Sequence, residues 1–517
     1  MKTKNLLLTT IIACMAVMMN FTALNAKTIY YVKVNGTGDG TSWAKAAGNI
    51  QDMIDKAVAG DEVWVAAGTF YPTRTGLSNS KSFIMKDGVN LYGGFAGNET
   101  SIESRIKSDM DKNGKTEAWE FTNETILSGK LSATEKANIV VEMGYDYNNA
   151  IDIETLFDGF TVMNGIVGIN AYCFSRTATV NNCIIRDNVN ADGSSSVLQS
   201  GIRNYMGTVS NSKITNNKAY YITPYSIIAY SYYVKGGGIY NDNGTVINCT
   251  ITNNICEIND PWGHKRAEAD GGGIYNWGRE VVNCIVSGNS CISNSYSRSV
   301  EHSYGGGIYN DGGSVINCCV TNNSLSGNDK RGSGVYNYAY FSPANAYGST
   351  IIKNSTENIN TDGGHYYNCI TEDSNLEQNF VNPKANDYHL KAGSQYINAG
   401  SLANLSNWVL NYPDLDGKPR TTNGKISVGA YEYDPSYTGI IELQHSDIMV
   451  YPNPASETIT VSGLQNNETI WLYNISGQLI LTRQVKSETE TIAVGHLPAG
   501  IYFVKTEMGK TLKWVKK

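Results

Sequence analysis

Between residues 201 and 370 the apolar positions fall in short clusters that return at a constant phase. Gly236-Gly237-Gly238-Ile239-Tyr240-Asn241 recurs at 271–276, at 305–310 and, loosely, as Gly332-Ser333-Gly334-Val335-Tyr336-Asn337. Ten residues after the last glycine of each full copy stands an asparagine followed by a cysteine, in Val246-Ile247-Asn248-Cys249, Val281-Val282-Asn283-Cys284 and Val315-Ile316-Asn317-Cys318. Val180-Asn181-Asn182-Cys183, Val209-Ser210-Asn211-Ser212 and Tyr366-Tyr367-Asn368-Cys369 extend the series. In an unbroken strand Val246 and Cys249 would face opposite ways. One residue bent into the left-handed region, which asparagine tolerates better than most residues, turns Val246, Cys249 and Ile251 inward and leaves Ile247 and Thr250 outside. The same phase sends Lys213 outward and Val209, Ser212 and Ile214 inward. Each repeat is therefore one coil of short strands. Stacked coils align Asn182, Asn211, Asn248, Asn283, Asn317 and Asn368, whose amides are expected to hydrogen-bond from coil to coil.

This pattern predicts an all-β solenoid, and residues 28–433 resemble the pectate-lyase-like superfamily of right-handed parallel β-helices. The resemblance rests on the asparagine series and the glycine-tyrosine repeat, and implies the fold without an activity. Near the start, Ile50, Met53, Ile54, Ala57 and Val58 follow helical spacing over residues 44–58, before Gly60-Asp61. A helix there caps the open end of the solenoid, whose first coil would otherwise expose a strand edge. Residues 39–43 through 63–70 resemble the N-terminal cap of bacterial surface β-helix proteins. Phe380-Val381-Asn382-Pro383, residues 386–390, 397–400, 414–420 and 429–432 resemble the terminal coils and closing segment of the same proteins.

Around the solenoid, 27–437, the composition changes. Residues 1–26 read as an export signal: Lys2 and Lys4, an apolar core over 6–19, and Ala23-Leu24-Asn25-Ala26 as cleavage site. Ile11-Ile12-Ala13-Cys14 also fits a lipoprotein box, the alternative being lipidation at Cys14. A linker spans 438–446. Within 447–517, alternating strands at 458–461, 469–473, 479–484 and 501–505, with turns at Ser476-Gly477 and Pro498-Ala499-Gly500, predict a small β-sandwich. This domain resembles the type A C-terminal sorting domain of the Bacteroidota type IX secretion system, through Tyr451-Pro452-Asn453-Pro454, residues 472–478, Leu497-Pro498-Ala499-Gly500-Ile501-Tyr502 and the basic tail 513–517. The resemblance implies the secretion machinery as a partner, carriage across the outer membrane, and release or attachment at the cell surface.

Charge and cysteine narrow the classes. A net charge of −7 leaves no basic footprint for nucleic acid or anionic membrane. No segment after the leader is long and apolar enough to span a bilayer as a helix. Cys183, Cys249, Cys284, Cys318 and Cys369 recur at one position and read as core filling; Cys256 and Cys291 either fill the core as well or bridge between coils.

Candidate chemistry is sparse. Asp109-Met110-Asp111-Lys112-Asn113-Gly114-Lys115-Thr116-Glu117-Ala118-Trp119-Glu120 fits the twelve-residue calcium-loop pattern. Asp109, Asp111, Asn113, the Lys115 carbonyl, Glu117 and Glu120 would ligate a structural Ca²⁺. Thr116 departs from the usual aliphatic residue, and the flanks predict no helix pair. The repeats vary in length at one corner, so loops 218–235, 255–270 and 292–304 are expected to form one surface. That surface offers Trp262, His264, Arg266 and Arg298 as ligand contacts. Tyr240, Tyr275, Tyr309 and Tyr336, with Arg203 one coil earlier, should point outward as a structural ladder or as a sugar platform. No catalytic constellation stands out. The first reading is a secreted β-helix that binds a polysaccharide or a surface protein, adhesin-like or scaffolding; the alternative is a polysaccharide lyase or glycoside hydrolase.

Overall fold

The one-residue bends form where the spacing demands them: Asn182, Asn211, Asn248, Asn283, Asn317 and Asn368 all have φ between 47° and 52°. The computed structural model describes residues 27–437 and 449–517, apart from 112–114, 192–196, 225–230, 263–265, 296–299, 340–343, 348, 353, 355–357, 373–374, 384–386, 404, 422–423, 463, 465–467, 476, 488 and 507–510. The leader with Cys14 and the linker 438–446 lie outside the described residues. The chain divides into two compact units, Met1–Gly439 and Ile440–Lys517. The first is a right-handed parallel β-helix with three faces, of eleven, nine and ten strands. One coil runs through Ile239–Asp242 on face 3, Thr245–Ile247 on face 1 and Thr250–Thr252 on face 2. Val246, Cys249 and Ile251 are fully buried in the shared core, as their phase requires.

Asn182 and Asn211 each bond to the preceding coil, but the bend amides do not bond to one another, and the continuous axial ladders are made by other asparagines. A left-handed residue throws its side chain outward, so Asn182 donates to Asp158 (2.7 Å), Asn211 to Asn181 (2.9 Å) and Asn368 to the Ala399 carbonyl (2.9 Å). The axial ladder is carried by Asn188, Asn217, Asn254, Asn289, Asn323 and Asn354, each Nδ2 donating to the next Oδ1 at 3.0 Å. Several of these follow a second left-handed residue, as Asn254 follows Asn253 and Asn323 follows Asn322. A further ladder joins Asn204, Asn241, Asn276, Asn310 and Asn337, the last residue of the glycine-tyrosine repeat, at 2.7–3.0 Å. The glycine triplets are required by close approach. Gly236 has φ 70°, and a Cβ on Gly238 would sit 2.6 Å from the Gly273 carbonyl and 2.9 Å from the Asn254 amide.

The variable segments are strands rather than loops. Lys218–Ile222, Ile255–Asp260, Ser290–Ser295 and Ser324–Ser326 pair in parallel, starting from Val189–Asn190, and the returning Ser231–Lys235, Arg266–Asp270, Val300–Tyr304 and Asp329–Arg331 pair likewise, starting from Val197–Leu198. The two five-stranded sheets stack as a fin. Its own core holds Tyr221, Val234, Cys256, Ile258, Ala267, Ala269 and Cys291. Cys256 and Cys291 face each other in register as free thiols. All nine cysteines of the described residues are free, and burial pushes the Cys183 thiol up to about 12.

Ile50–Lys56 is the capping helix, shorter than expected because Trp43–Lys45 forms a 3₁₀ turn and Asn49 caps the helix through the Gln51 N–H. Ile50, Met53, Ile54 and Ala57 are buried and Val58 is exposed. Much of the segment expected to close the far end lies along the outside of faces 1 and 2. The reason is that Ile247, Val282, Ile285 and Ile316 point outward and need cover: Trp408, Val409 and Tyr412 pack on Ile247, Val282 and Ile316, while Phe380, Tyr388 and Tyr431 pack around Ile285 and Cys319. Bend asparagines hold this flank, Asn248 donating to the Asp414 carbonyl and Asn283 to that of Pro413, both at 3.0 Å. His389 clamps it, with Nδ1 2.5 Å from Asp387 and Nε2 2.6 Å from Asp416, its ring between Tyr431 and Tyr437. Lys115 approaches the same ring at 2.8 Å.

The second unit has two antiparallel sheets: Met449–Tyr451, Thr458–Ser462 and Thr489–Ala493, and Leu479–Gln484, Thr469–Asn474, Gly500–Thr506 and Thr511–Lys516. Ile459, Val461, Leu472, Val504 and Trp514 fill its core. Most of the basic tail is thus an edge strand, its Trp514 wholly buried.

Two outcomes follow. Asn323→Gly breaks the axial ladder inside the protein and should cost about 1–3 kcal/mol, whereas Asn317→Gly, one bend earlier, keeps a backbone that glycine adopts freely and should change stability by less than ~0.5 kcal/mol; urea midpoints compare them. In the clamp, burial alone would raise Asp387 and Asp416, but hydrogen bonds and charge from His389, with the charge of Lys115, hold both below the usual carboxylate range. Carboxyls depressed in the folded state stabilise it above their unfolded value, about 4, and lose that contribution as pH falls through the folded value. Melting temperature should therefore drop in acid, and the drop should shrink in His389→Phe.

Candidate functional site

The calcium-like loop is pinned at its base by a buried cation. Arg105 lies against Phe121, its guanidinium carbon 4.6 Å from the ring centroid, and donates to the Gly93 carbonyl at 2.9 Å and to Asp158 at 2.6 Å. Glu120 turns inward, its Oε1 accepting from the backbone of Met110 and Asp111 at 3.1 and 3.2 Å, its Oε2 from that of Glu117 at 3.0 Å. Ligand atoms of Asp109, Asp111 and Glu120 come within 4.8 Å of one another, so three of the six expected ligands converge. Asn113 lies outside the described residues. Glu117 enters through its backbone, and the Lys115 side chain leaves for the His389 clamp. No helix pair flanks the loop, in keeping with its sequence: a 3₁₀ turn at Ile102–Ser104 precedes it and the strand Thr125–Ser128 follows.

Beside the loop a cavity of about 190 Å³ opens over face 2. Trp119, Phe121 and Phe160 supply apolar lining, while Glu120, Glu124 and Lys213 are among its polar residues. Lys213 pairs with Asp111 at 2.9 Å and Glu124 accepts from the Thr161 hydroxyl at 2.7 Å. Trp119 is buried, and its indole N–H has no hydrogen-bond partner among the described residues. Lys213 was legible as an outward side chain, but its meeting with Asp111, 102 positions earlier, was not.

The residues predicted to meet ligand divide between two places. Tyr240, Tyr275 and Tyr309 stack on face 3 with ring centroids 5.3 and 4.9 Å apart, and Tyr336 continues the row. Arg203 is in register with Tyr240. Only Tyr240 is half-buried; Tyr275, Tyr309 and Tyr336 retain 5%, 8% and 2% exposure, in a cluster that Tyr304 of the fin joins by packing on Tyr336. Burial, reinforced by Asp270, raises the Tyr275 and Tyr309 hydroxyls. Lys235 lies over Tyr275 and reaches its hydroxyl at 3.0 Å. Trp262 is elsewhere, exposed, with its indole donating to the Thr223 carbonyl. Arg266 begins the strand Arg266–Asp270, and His264 and Arg298 lie outside the described residues.

Where the fin meets face 3, strand alternation sends Ala267 and Ala269 into the fin core and Glu268 and Asp270 to the other side. His302 is in register with Glu268 and its Nε2 stands 3.0 Å from that carboxylate. The sequence signal for this group was the alternation Ala267-Glu268-Ala269-Asp270 opposite His302-Ser303-Tyr304, which only pairing between repeats turns into a cluster.

Residues 449–517 match the family model described as secretion system C-terminal sorting domain. No curated protein matches the chain. Solved structures similar to it include PorZ, a surface component of the type IX secretion system of Porphyromonas gingivalis, 18% identical over 16% of this chain and 13% of that one, with a TM-score of 0.14. They also include a pectate lyase, 13% identical over 80% of this chain and 98% of that one, TM-score 0.44, and a rhamnogalacturonan lyase, 12% identical over 67% and 85%, TM-score 0.28. The C-terminal unit is a type IX secretion sorting domain, and the protein it carries is exported by that system to the cell surface or the medium.

Proposed function

We propose that the exported solenoid is a glycan-binding module whose ligand enters the cavity beside the 109–120 loop, with Ca²⁺ completing that loop. The observation that carries this reading is the cavity itself, with aromatic residues, carboxylates and one lysine together in its lining. A sugar presents both surfaces at once: C–H faces for the apolar lining, and hydroxyls for Glu124. A concave site about one ring across favours a glycan over a protein surface, which would meet a broad flat patch. Geometry favours the cation: ligand atoms of Asp109, Asp111 and Glu120 come within 4.8 Å of one another. An all-oxygen donor set suits calcium. The tyrosine row serves as a ladder that holds the coils and the fin together.

The test is calorimetry of the purified protein against acidic and neutral polysaccharides, with calcium and with chelator, alongside ultraviolet absorbance and reducing-end assays. Binding is expected to require calcium, and to weaken at least about tenfold, ~1.4 kcal/mol, in Trp119→Ala. Asp109→Asn with Glu120→Gln should abolish calcium uptake. Wild-type protein that takes up no calcium and retains no glycan would overturn the reading, and new chain ends would transfer it to the enzyme.

A further inference from the structure

We propose that Glu268, Asp270 and His302 form a second metal site, for zinc or a neighbouring first-row divalent ion, that staples the fin to the solenoid. The three residues offer ligand atoms within 4.8 Å of one another. They come from two strands in parallel register, Glu268 opposite His302 and Asp270 opposite Tyr304, so their mutual placement is set by backbone pairing rather than by loop conformation. All three are deeply buried, at 5%, 2% and 6% exposure.

The donor set separates this site from the 109–120 loop. One imidazole nitrogen with carboxylate oxygens suits zinc, cobalt or manganese, whereas hard oxygen donors alone suit calcium. The imidazole is already oriented. Its ring stacks on Tyr304, centroids 4.2 Å apart and planes 6° apart, which directs Nε2 towards Glu268. Tyr304 is held in turn by a hydrogen bond from its hydroxyl to Asp329 and by packing on Tyr336. Support of this kind for a ligand ring is what metal sites use to set geometry and affinity. Because Tyr304 packs on Tyr336 of face 3, an ion here would tie the returning fin sheet to the coil stack.

The experiment uses the untagged full chain, stripped with chelator and then titrated with zinc chloride, bound metal being counted by inductively coupled plasma mass spectrometry. Uptake of one zinc per chain is expected, retained when calcium is in excess and retained in Asp109→Asn with Glu120→Gln. His302→Gln and Glu268→Gln should each weaken uptake at least tenfold. Cobalt(II) added to the stripped wild type should give the visible absorption of a site with nitrogen and oxygen ligands, a readout independent of how the variants fold. The proposal falls if the stripped wild type binds neither zinc nor cobalt, or if His302→Gln binds zinc as tightly as wild type; His302 and Glu268 would then be an ion pair only.

Discussion

The constraint on which the solenoid depends is the satisfaction of buried amides along its axis. Asn254 shows it most completely: its Nδ2 donates to Asn289 and to the Ile214 carbonyl, while the Asn289 Oδ1 also accepts from the Asn254 backbone. A coil so narrow cannot turn three corners without leaving backbone groups in the interior, and an unpaired one costs about 1–3 kcal/mol. The ladder meets that demand once per coil. It also sets the coil spacing, because an amide reaches its neighbour only when the strands stand one parallel-sheet step apart.

With the spacing set, everything attached to a coil meets its counterpart on the next. That is why chain between Asn254 and Gly271 becomes a pair of fin strands, and why Glu268 finds His302. It is also why the outward apolar residues of face 1 form a continuous strip wide enough to hold the flank. The 109–120 loop stands apart from this logic. It is an insertion between early coils, pinned by Arg105 and reaching Lys213 and His389 from far along the chain, so its environment owes nothing to repetition.

This difference explains what the sequence discloses. The bends, the inward Val-Cys-Ile phase, the capping helix and the sorting domain are local patterns, and each was legible from neighbouring residues. The ladder asparagines were equally local, lying at the end of the glycine-tyrosine repeat and just after the second bend. They were masked because the bend residues repeat as regularly and carry the same side chain. The fin was hidden for another reason: its strands vary in length and composition, and although the common offset of Cys256 and Cys291 hinted that they stack, only the paired sheets show Ala267 and Ala269 in one core with them. The calcium-loop spacing was visible in full, but the cavity beside it was not, since Phe160 and Lys213 are brought there by later coils.

The stack of thiols has a consequence for the journey this chain makes. Cys183, Cys249, Cys284 and Cys318 lie along the core with Cys256 and Cys291 in the fin, all without access to water. Burial holds the Cys284, Cys291 and Cys318 thiols far above the range in which a thiolate forms. Once coiled, these six thiols are therefore shielded from oxidant. Before coiling, the same cysteines are near-identical, closely spaced and free to pair in the wrong combinations. Coiling thus becomes the redox protection of these positions: each coil that closes removes its own thiol from chemistry.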